Sequence, residues 1–233
     1  MNIDIFESGL KELNLDINEN QLSQFNTYSS LLKEWNEKMN LTAIVDDDGI
    51  AVKHFLDSVL PLKYINIKQG ASVADIGTGA GFPGLPIKIL RPDINITLID
   101  SLNKRINFLK TVADSCNLEN ILCIHGRAEE LGKASEYREK YDVIVSRAVA
   151  NMRVLCEYCL PFVKVGGIFV ALKASDIDEE LSQAKPIIGT LGGKVEDIID
   201  APLPQSPITR KLVVIRKDKE TPKQFPRKSN KIK

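Results

Sequence analysis

The stretch from Val73 to Leu90, VADIGTGAGFPGLPIKIL, decides the fold. A short apolar run ends at Ile76, and four glycines, Gly77, Gly79, Gly81 and Gly84, follow within eight residues. Such a cluster frees the main chain from Cβ restrictions and lets it close tightly around a ligand. Gly79-x-Gly81-x-x-Gly84 matches the dinucleotide fingerprint letter for letter. Asp75 does not suit that ligand, because a carboxylate two residues before the first glycine repels a pyrophosphate. No Gly-Lys-Ser/Thr follows, so the phosphate loop of nucleoside triphosphatases is excluded.

Outward from this loop the chain alternates strand and helix patterns. Strands are expected at residues 71–76, 94–99, 121–124, 141–146, 167–172 and 211–216. YDVIVS and GGIFVALK are continuous apolar runs, which suits strands buried on both faces. Between strands, Leu102, Ile106, Leu109 and Val112 fall on one face of a helix over residues 101–116. Alternation of this kind implies a parallel, doubly wound sheet with right-handed crossovers. GGKVEDIID and RKLVVIRK, with no helix between them, read as an antiparallel pair at one end. A helix whose start Pro83 or Pro86 sets should follow the glycine loop.

Upstream, Leu22, Phe25, Leu32, Trp35 and Met39 form one apolar stripe on a helix from Asn18 to Met39. Asn18 and Gln21 make a capping-box pattern at its start. A short helix before it and another around residues 51–60 complete a helical front. The expected division is a helical N-terminal extension over 1–65, an α/β domain over 66–217 and a flexible basic tail over 218–233.

The second strand ends in Asp100, about twenty residues past the glycines, where an acid can accept both hydroxyls of an adenosine ribose. Asp75 then selects among adenosine cofactors. S-adenosylmethionine has no phosphate and carries a sulfonium and an α-amino cation, which an acid at this strand end favours. On the residues alone the methyl donor is preferred, with a nicotinamide dinucleotide as the alternative.

The chain resembles the RsmG (GidB) family of bacterial 16S ribosomal RNA methyltransferases. The similar stretches are EWNEKMNLTAI, KHFLDSVLPL, DIGTGAGFPGLPIKI, LIDSLNKRINFLK, HGRAEEL, SRAVANM, LPFVKVGG, ALKA and FPRK. The resemblance implies a class I S-adenosylmethionine-dependent methyltransferase fold, Rossmann-like, with a mostly parallel seven-stranded sheet and helices on both faces. It also implies methylation of N7 of one guanosine of 16S rRNA, position 527 in conventional rRNA numbering, to give 7-methylguanosine. Two departures stand out: Ala174 replaces the usual glycine after Lys173, and the tail ends SNKIK.

Guanine N7 carries an in-plane lone pair and no proton, so direct in-line methyl transfer needs no general base, and no catalytic residue is assigned as certain. Arg127, Arg147, Lys173 and Arg210, at or near strand ends, are candidates for positioning the RNA through its phosphates and the target nucleotide. Asp75, Gly77, Gly79 and Asp100 are candidate cofactor residues from the loop pattern. The resemblance adds Phe82, Ala128, Glu129 and Arg147 and supports Gly77. Adenine amino-group enzymes carry an Asn- or Asp-Pro-Pro-aromatic sequence where this chain has Ser146-Arg147-Ala148-Val149, and no Pro-Cys of cytosine C5 enzymes occurs. A small-molecule acceptor is the rival inside the fold.

Charge is unevenly spread. Residues 1–50 hold three lysines and ten acids, whereas residues 216–233 hold eight Lys or Arg against two acids. The basic end suggests a polyanion partner: 16S rRNA, naked or within the small ribosomal subunit or its precursor. The opening MNIDIFESGL has acids and no basic stretch, and no run reaches membrane-span length, so a cytoplasmic protein without a membrane partner is expected, as a monomer. Cys156 and Cys159 form a lone C-x-x-C without the further ligands that zinc requires, so both are read as core residues and no metal is expected. His54 is expected to bond Asp57 or cap a turn, and His125 to line the cleft.

Overall fold

The computed structural model describes residues 1–147 and 150–232. Ala148 and Val149, part of the expected fourth-strand motif, and Lys233 lie outside the described residues. Seven strands form one sheet in the order β3-β2-β1-β4-β5-β7-β6. They are β1 (Ser72–Ile76), β2 (Asn95–Asp100), β3 (Ile121–His125), β4 (Tyr141–Arg147), β5 (Val163–Lys173), β6 (Gly193–Pro202) and β7 (Thr209–Lys217). The first five run parallel, while β7 is antiparallel to both β5 and β6. The order reverses between β1 and β4, and a crevice opens at the carboxyl ends of two strands whose connections leave in opposite directions.

Alternation along the strands sorts side chains onto two cores. Val73, Val143, Val145, Ile168 and Val170 join one cluster, whereas Ala74, Ile144, Phe169 and Ala171 join the other. Helices α1 (Ile3–Leu13) and α2 (Glu19–Met39) cover the first face together with α3 (Gly84–Leu90) and α4 (Asn103–Ser115). Phe6, Phe25 and Phe55 pack ring to ring, with centroids 4.6 and 5.0 Å apart for Phe6–Phe25 and Phe25–Phe55. Aromatic contacts of this kind add to area burial. The other face carries a short helix α5 (Ala128–Leu131), then α6 (Met152–Cys159) and α7 (Asp178–Thr190). Cys156 and Cys159 of α6 are buried free thiols in that core.

Local chemistry sets the helix ends. The Asn18 side chain accepts from Gln21 N and the Gln21 side chain accepts from Asn18 N, so the capping box forms. The helix expected over 51–60 is instead a π-helical segment, Ile50–Leu56, flanked by short α-turns at Asp47–Gly49 and Asp57–Val59. Periodicity could not distinguish these forms over so few residues. β5 begins at Val163 rather than 167, because Gly166 at φ +86° and a register shift opposite Tyr141 carry the pairing through the glycine pair. Ala174 is absent from the positive-φ residues, so the alanine in place of glycine imposes no backbone conflict.

The basic end departs from the expectation of a flexible tail. Phe225 and Thr221 are buried. The Arg138 guanidinium donates to the carbonyls of Thr221 (2.6 Å) and Phe225 (2.8 Å), and Arg227 forms a forked pair with the fully buried Glu157 of α6. A sequence rich in lysine conceals these few anchors among its charges. No described helix is long and apolar enough to cross a membrane.

Candidate active site

The glycine loop is built from beneath. Gly77 N and Thr78 N donate to the carbonyl of Ile99 at 2.9 and 3.1 Å, tying the loop to β2. One oxygen of Asp75 accepts from Thr78 Oγ1 at 2.7 Å and from Gly84 N at 2.8 Å. Asp75 is wholly buried, and burial pushes its carboxyl up to about 7. A Cβ at Gly84 would stand 2.9 Å from the Asp75 carboxylate and 2.5 Å from Leu98, so glycine is needed where α3 meets the strand. Asp75 does not line the cavity. The structure sets this acid behind the loop, outside that lining, where it braces Thr78 and Gly84.

Asp100, also buried, is the acid that lines the cavity. It ends β2, accepts from Gly79 N and Leu102 N, each at 2.9 Å, and meets Arg105 Nη1 at 3.2 Å. Its carboxylate faces a cavity of about 500 Å³ lined also by Gly77, Gly79, Phe82, Arg127, Ala128, Glu129, Arg147 and Tyr158. The size is that of a small-molecule site. Two acids, Asp100 and Glu129, a glycine main chain without side chains and the Phe82 ring suit a cationic adenosine ligand; seven of the eight sequence candidates for cofactor contact thus share one cavity.

The N-terminal helices reach into this loop. Tyr28 of α2 donates its hydroxyl to the carbonyl of Ala80 at 2.5 Å and stacks against Phe82 with centroids 5.5 Å apart. Tyr28→Phe strands that buried carbonyl, and we expect a stability loss of about 1–3 kcal/mol. Weaker binding of S-adenosylmethionine should accompany it. Thermal unfolding and calorimetric titration check both, and an unchanged affinity would separate the extension from the loop.

Beyond Phe82 lies a second cavity of about 390 Å³, lined by Lys53, Asp57, Leu172, Lys173, Ile177 and Arg210 among others. His54 and Arg147 line both cavities. Arg147 ends β4, and its guanidinium sits 5.0 Å from the Phe82 centroid. Its described hydrogen bonds all leave from Nη1, to Asp57 Oδ2 (2.9 Å) and to the carbonyls of Lys53 and His54. Asp57, nearly fully buried, also receives Arg210 Nε and Nη2 at 2.8 and 3.1 Å. Lys173 pairs with Glu180 at 2.6 Å. Arg127 is exposed, with Glu129 at 3.6 Å. The four candidate cations therefore divide: Arg147, Lys173 and Arg210 surround the second cavity, and Arg127 stands at the mouth of the first.

His54 departs from expectation. Its Nε2 meets Thr42 Oγ1 at 2.8 Å rather than Asp57, and its ring stacks on Phe82 at 4.5 Å. Burial and the nearby Arg147 push its pKa down to about 4, so the ring is neutral at neutral pH. His125, the last residue of β3, meets the Ser101 carbonyl at 3.0 Å and is not in the lining. Sequence reasoning named Asp57 only as a partner for His54 and missed Tyr28, Tyr158 and Thr42. The DS of KHFLDS and the aromatic pattern of α2 were visible, but their partners lie too far along the chain for spacing to reveal. No cluster of metal-ligating side chains occurs among the described residues.

The model of the family described as GidB, rRNA small subunit methyltransferase G, matches residues 21–207. Ribosomal RNA small subunit methyltransferase G of Clostridium botulinum (strain Loch Maree / Type A3) is 52% identical over 229 residues, 98% of this chain and 96% of the relative. The protein of that name from Desulforamulus reducens is 53% identical over 219 residues, covering 94% of this chain and 91% of its own. Among solved structures, Aeropyrum pernix fibrillarin with natively bound S-adenosyl-L-methionine aligns with a TM-score of 0.53 at 15% identity, over 69% of this chain and 73% of that one. Precorrin-6y C5,15-methyltransferase of Geobacter metallireducens aligns with a TM-score of 0.52 at 14% identity, over 69% and 86%. At such identities the likeness establishes the fold, the class I methyltransferase sheet with helices on both faces.

Proposed function

The chain belongs to the rRNA small subunit methyltransferase G family, and on that premise we propose that it methylates N7 of one guanosine of 16S rRNA, position 527 in conventional numbering. It is a small-subunit rRNA methyltransferase dependent on S-adenosylmethionine. The observation that carries the finer reading is the meeting of two cavities at Arg147 and His54, both of which pack on Phe82.

In this reading the first cavity holds the cofactor. Asp100 offers acceptor lone pairs to the ribose diol, Gly77 and Gly79 bring main chain against the ligand, Ala128 and Glu129 meet the adenine edge, and Phe82 and Arg147 close the reactive end. When bound, the cofactor supplies a methyl group on a cationic sulfur, which the N7 lone pair takes directly and in line without an obligatory general base. The second cavity receives the target nucleoside. There Arg147, Arg210 and Lys173 bring three cations to a site whose carboxylates, Asp57 and Glu180, hold them in place. Bound geometry then supplies much of the rate, as expected for a reaction without proton transfer. His54, neutral, presents an uncharged wall beside the reacting atoms and adds no repulsion to a base that becomes cationic. Arg127 at the cavity mouth contacts phosphate.

We further propose that the chain acts as a cytoplasmic monomer on 16S rRNA, naked or in the small subunit or its precursor. In this division 1–65 form a helical extension packed on the core and 66–217 the methyltransferase domain. Comparison of 16S rRNA nucleosides from cells with and without the gene tests the assignment: loss of 7-methylguanosine on deletion is expected, and an unchanged level refutes it. Calorimetry against NAD tests the rival, since tight NAD binding with no response to S-adenosylmethionine would end this reading.

A further inference from the structure

Residues 221–232 form a built basic strap anchored to the elements that flank the cofactor cavity. Three anchors hold it. Arg138 donates to the carbonyls of Gly132, Thr221 and Phe225 at 2.6–2.8 Å. Glu157, fully buried in α6, accepts from Arg227 N, Nε and Nη2. Pro226 packs against Gly132, with its Cγ 3.2 Å from where a Cβ would stand.

These anchors fix the strap in relation to the site. Gly132 closes α5 through a 2.8 Å bond to the carbonyl of Ala128, and Ala128 lines the cofactor cavity. The residue after Glu157 is Tyr158, another lining residue. The strap is therefore tied to α5 and α6, the elements that carry the lining residues Ala128, Glu129 and Tyr158, with the exposed Arg127 just before α5. It presents Lys223, Lys228 and Lys231, all exposed and without an acidic partner among the described residues. A chain of zero formal net charge has gathered these cations on one strap.

We propose that this strap is a phosphate track that holds the rRNA backbone flanking the target nucleotide, with Arg227–Glu157 as its clasp. The inference rests on the rRNA-methyltransferase reading. Fixed cations lose less freedom on binding than a floppy tail would, and each neutralised phosphate releases counterions, so the track gives salt-dependent, sequence-independent affinity. A neighbouring protein would need apolar anchors as well, and here the large apolar side chains Phe225 and Ile232 are turned into the fold.

The test uses the full chain and a fluorescently labelled RNA hairpin. The triple variant Lys223→Ala, Lys228→Ala, Lys231→Ala should reduce the slope of log affinity against log salt by about 2–3, the contribution of three phosphate contacts. Its S-adenosylmethionine affinity should equal that of the wild type. Arg227→Ala, which opens the clasp and leaves the lysines in place, should lower kcat/KM on small subunits as the triple variant does. An unchanged salt slope in the triple variant overturns the inference, as does a parallel loss of cofactor affinity, which would mean that the strap acts through the cavity. Failure of the wild type to methylate rRNA would refute the functional reading instead, and the slope comparison would still decide the strap.

Discussion

Arg147→Ala is expected to lower kcat/KM for rRNA methylation by about 100- to 1000-fold, the scale on which one preorganised electrostatic group at a reacting centre is felt. The cofactor dissociation constant should rise by only about 2- to 30-fold, because the cation–π contact with Phe82 is worth roughly 0.5–2 kcal/mol. The asymmetry follows from position. Arg147 ends β4 at the switch point, its Nη1 is committed to Asp57 and two carbonyls, and the rest of the guanidinium faces the junction of the cavities. The fold should survive, since Asp57 keeps its forked pair with Arg210. Arg147→Lys should recover little activity, because a single ammonium cannot reproduce the planar fork. Single-turnover kinetics with saturating cofactor separate the two effects. Wild-type rates in Arg147→Ala would place the reaction elsewhere in the molecule.

The parts of this site legible in the sequence are those set within a few residues of chain. The glycine spacing, Asp100 at the end of the second strand and the capping box at Asn18 are short-range signals, and each fixes a backbone path almost alone. The parallel arrangement followed from alternation, and the antiparallel pair from two adjacent strands at the end of the chain. What spacing could not disclose were pairings across the fold. Asp57 meets cations 90 and 153 residues away, and Glu157 meets Arg227 across 70. The acid of KHFLDS could have been a solvated surface charge; burial makes Asp57 the counter-ion of Arg147 and Arg210 at the second cavity. Asp75 shows the opposite limit. Its place in the motif was plain, but the direction of its side chain depended on where Gly84 and Thr78 brought their donors.

That direction leads to the second large effect. Asp75→Ala is expected to cost about 2–5 kcal/mol of stability, because Gly84 N–H and Thr78 O–H lose a buried acceptor in a space that cannot readily collapse. The loosened loop should weaken S-adenosylmethionine binding by tenfold or more. Asp75→Asn is expected to bind the cofactor close to the wild type, since its carbonyl oxygen accepts from the same two donors. The pH dependence gives the sign. The folded carboxyl lies near 7, above the ordinary carboxylate value of 3.8, so the folded state holds a proton that the unfolded chain has lost. Its contribution is fully present below about pH 4 and disappears as pH rises through about 7. Asp75→Asn removes that dependence, and its melting temperature relative to wild type should climb between pH 6 and 8. A carboxylate acting directly on a cofactor cation makes the contrary demand: Asn would then bind the cofactor as poorly as Ala at every pH. Calorimetric titration of both variants at pH 6 and pH 8 distinguishes an acid that braces the loop from one that touches the ligand.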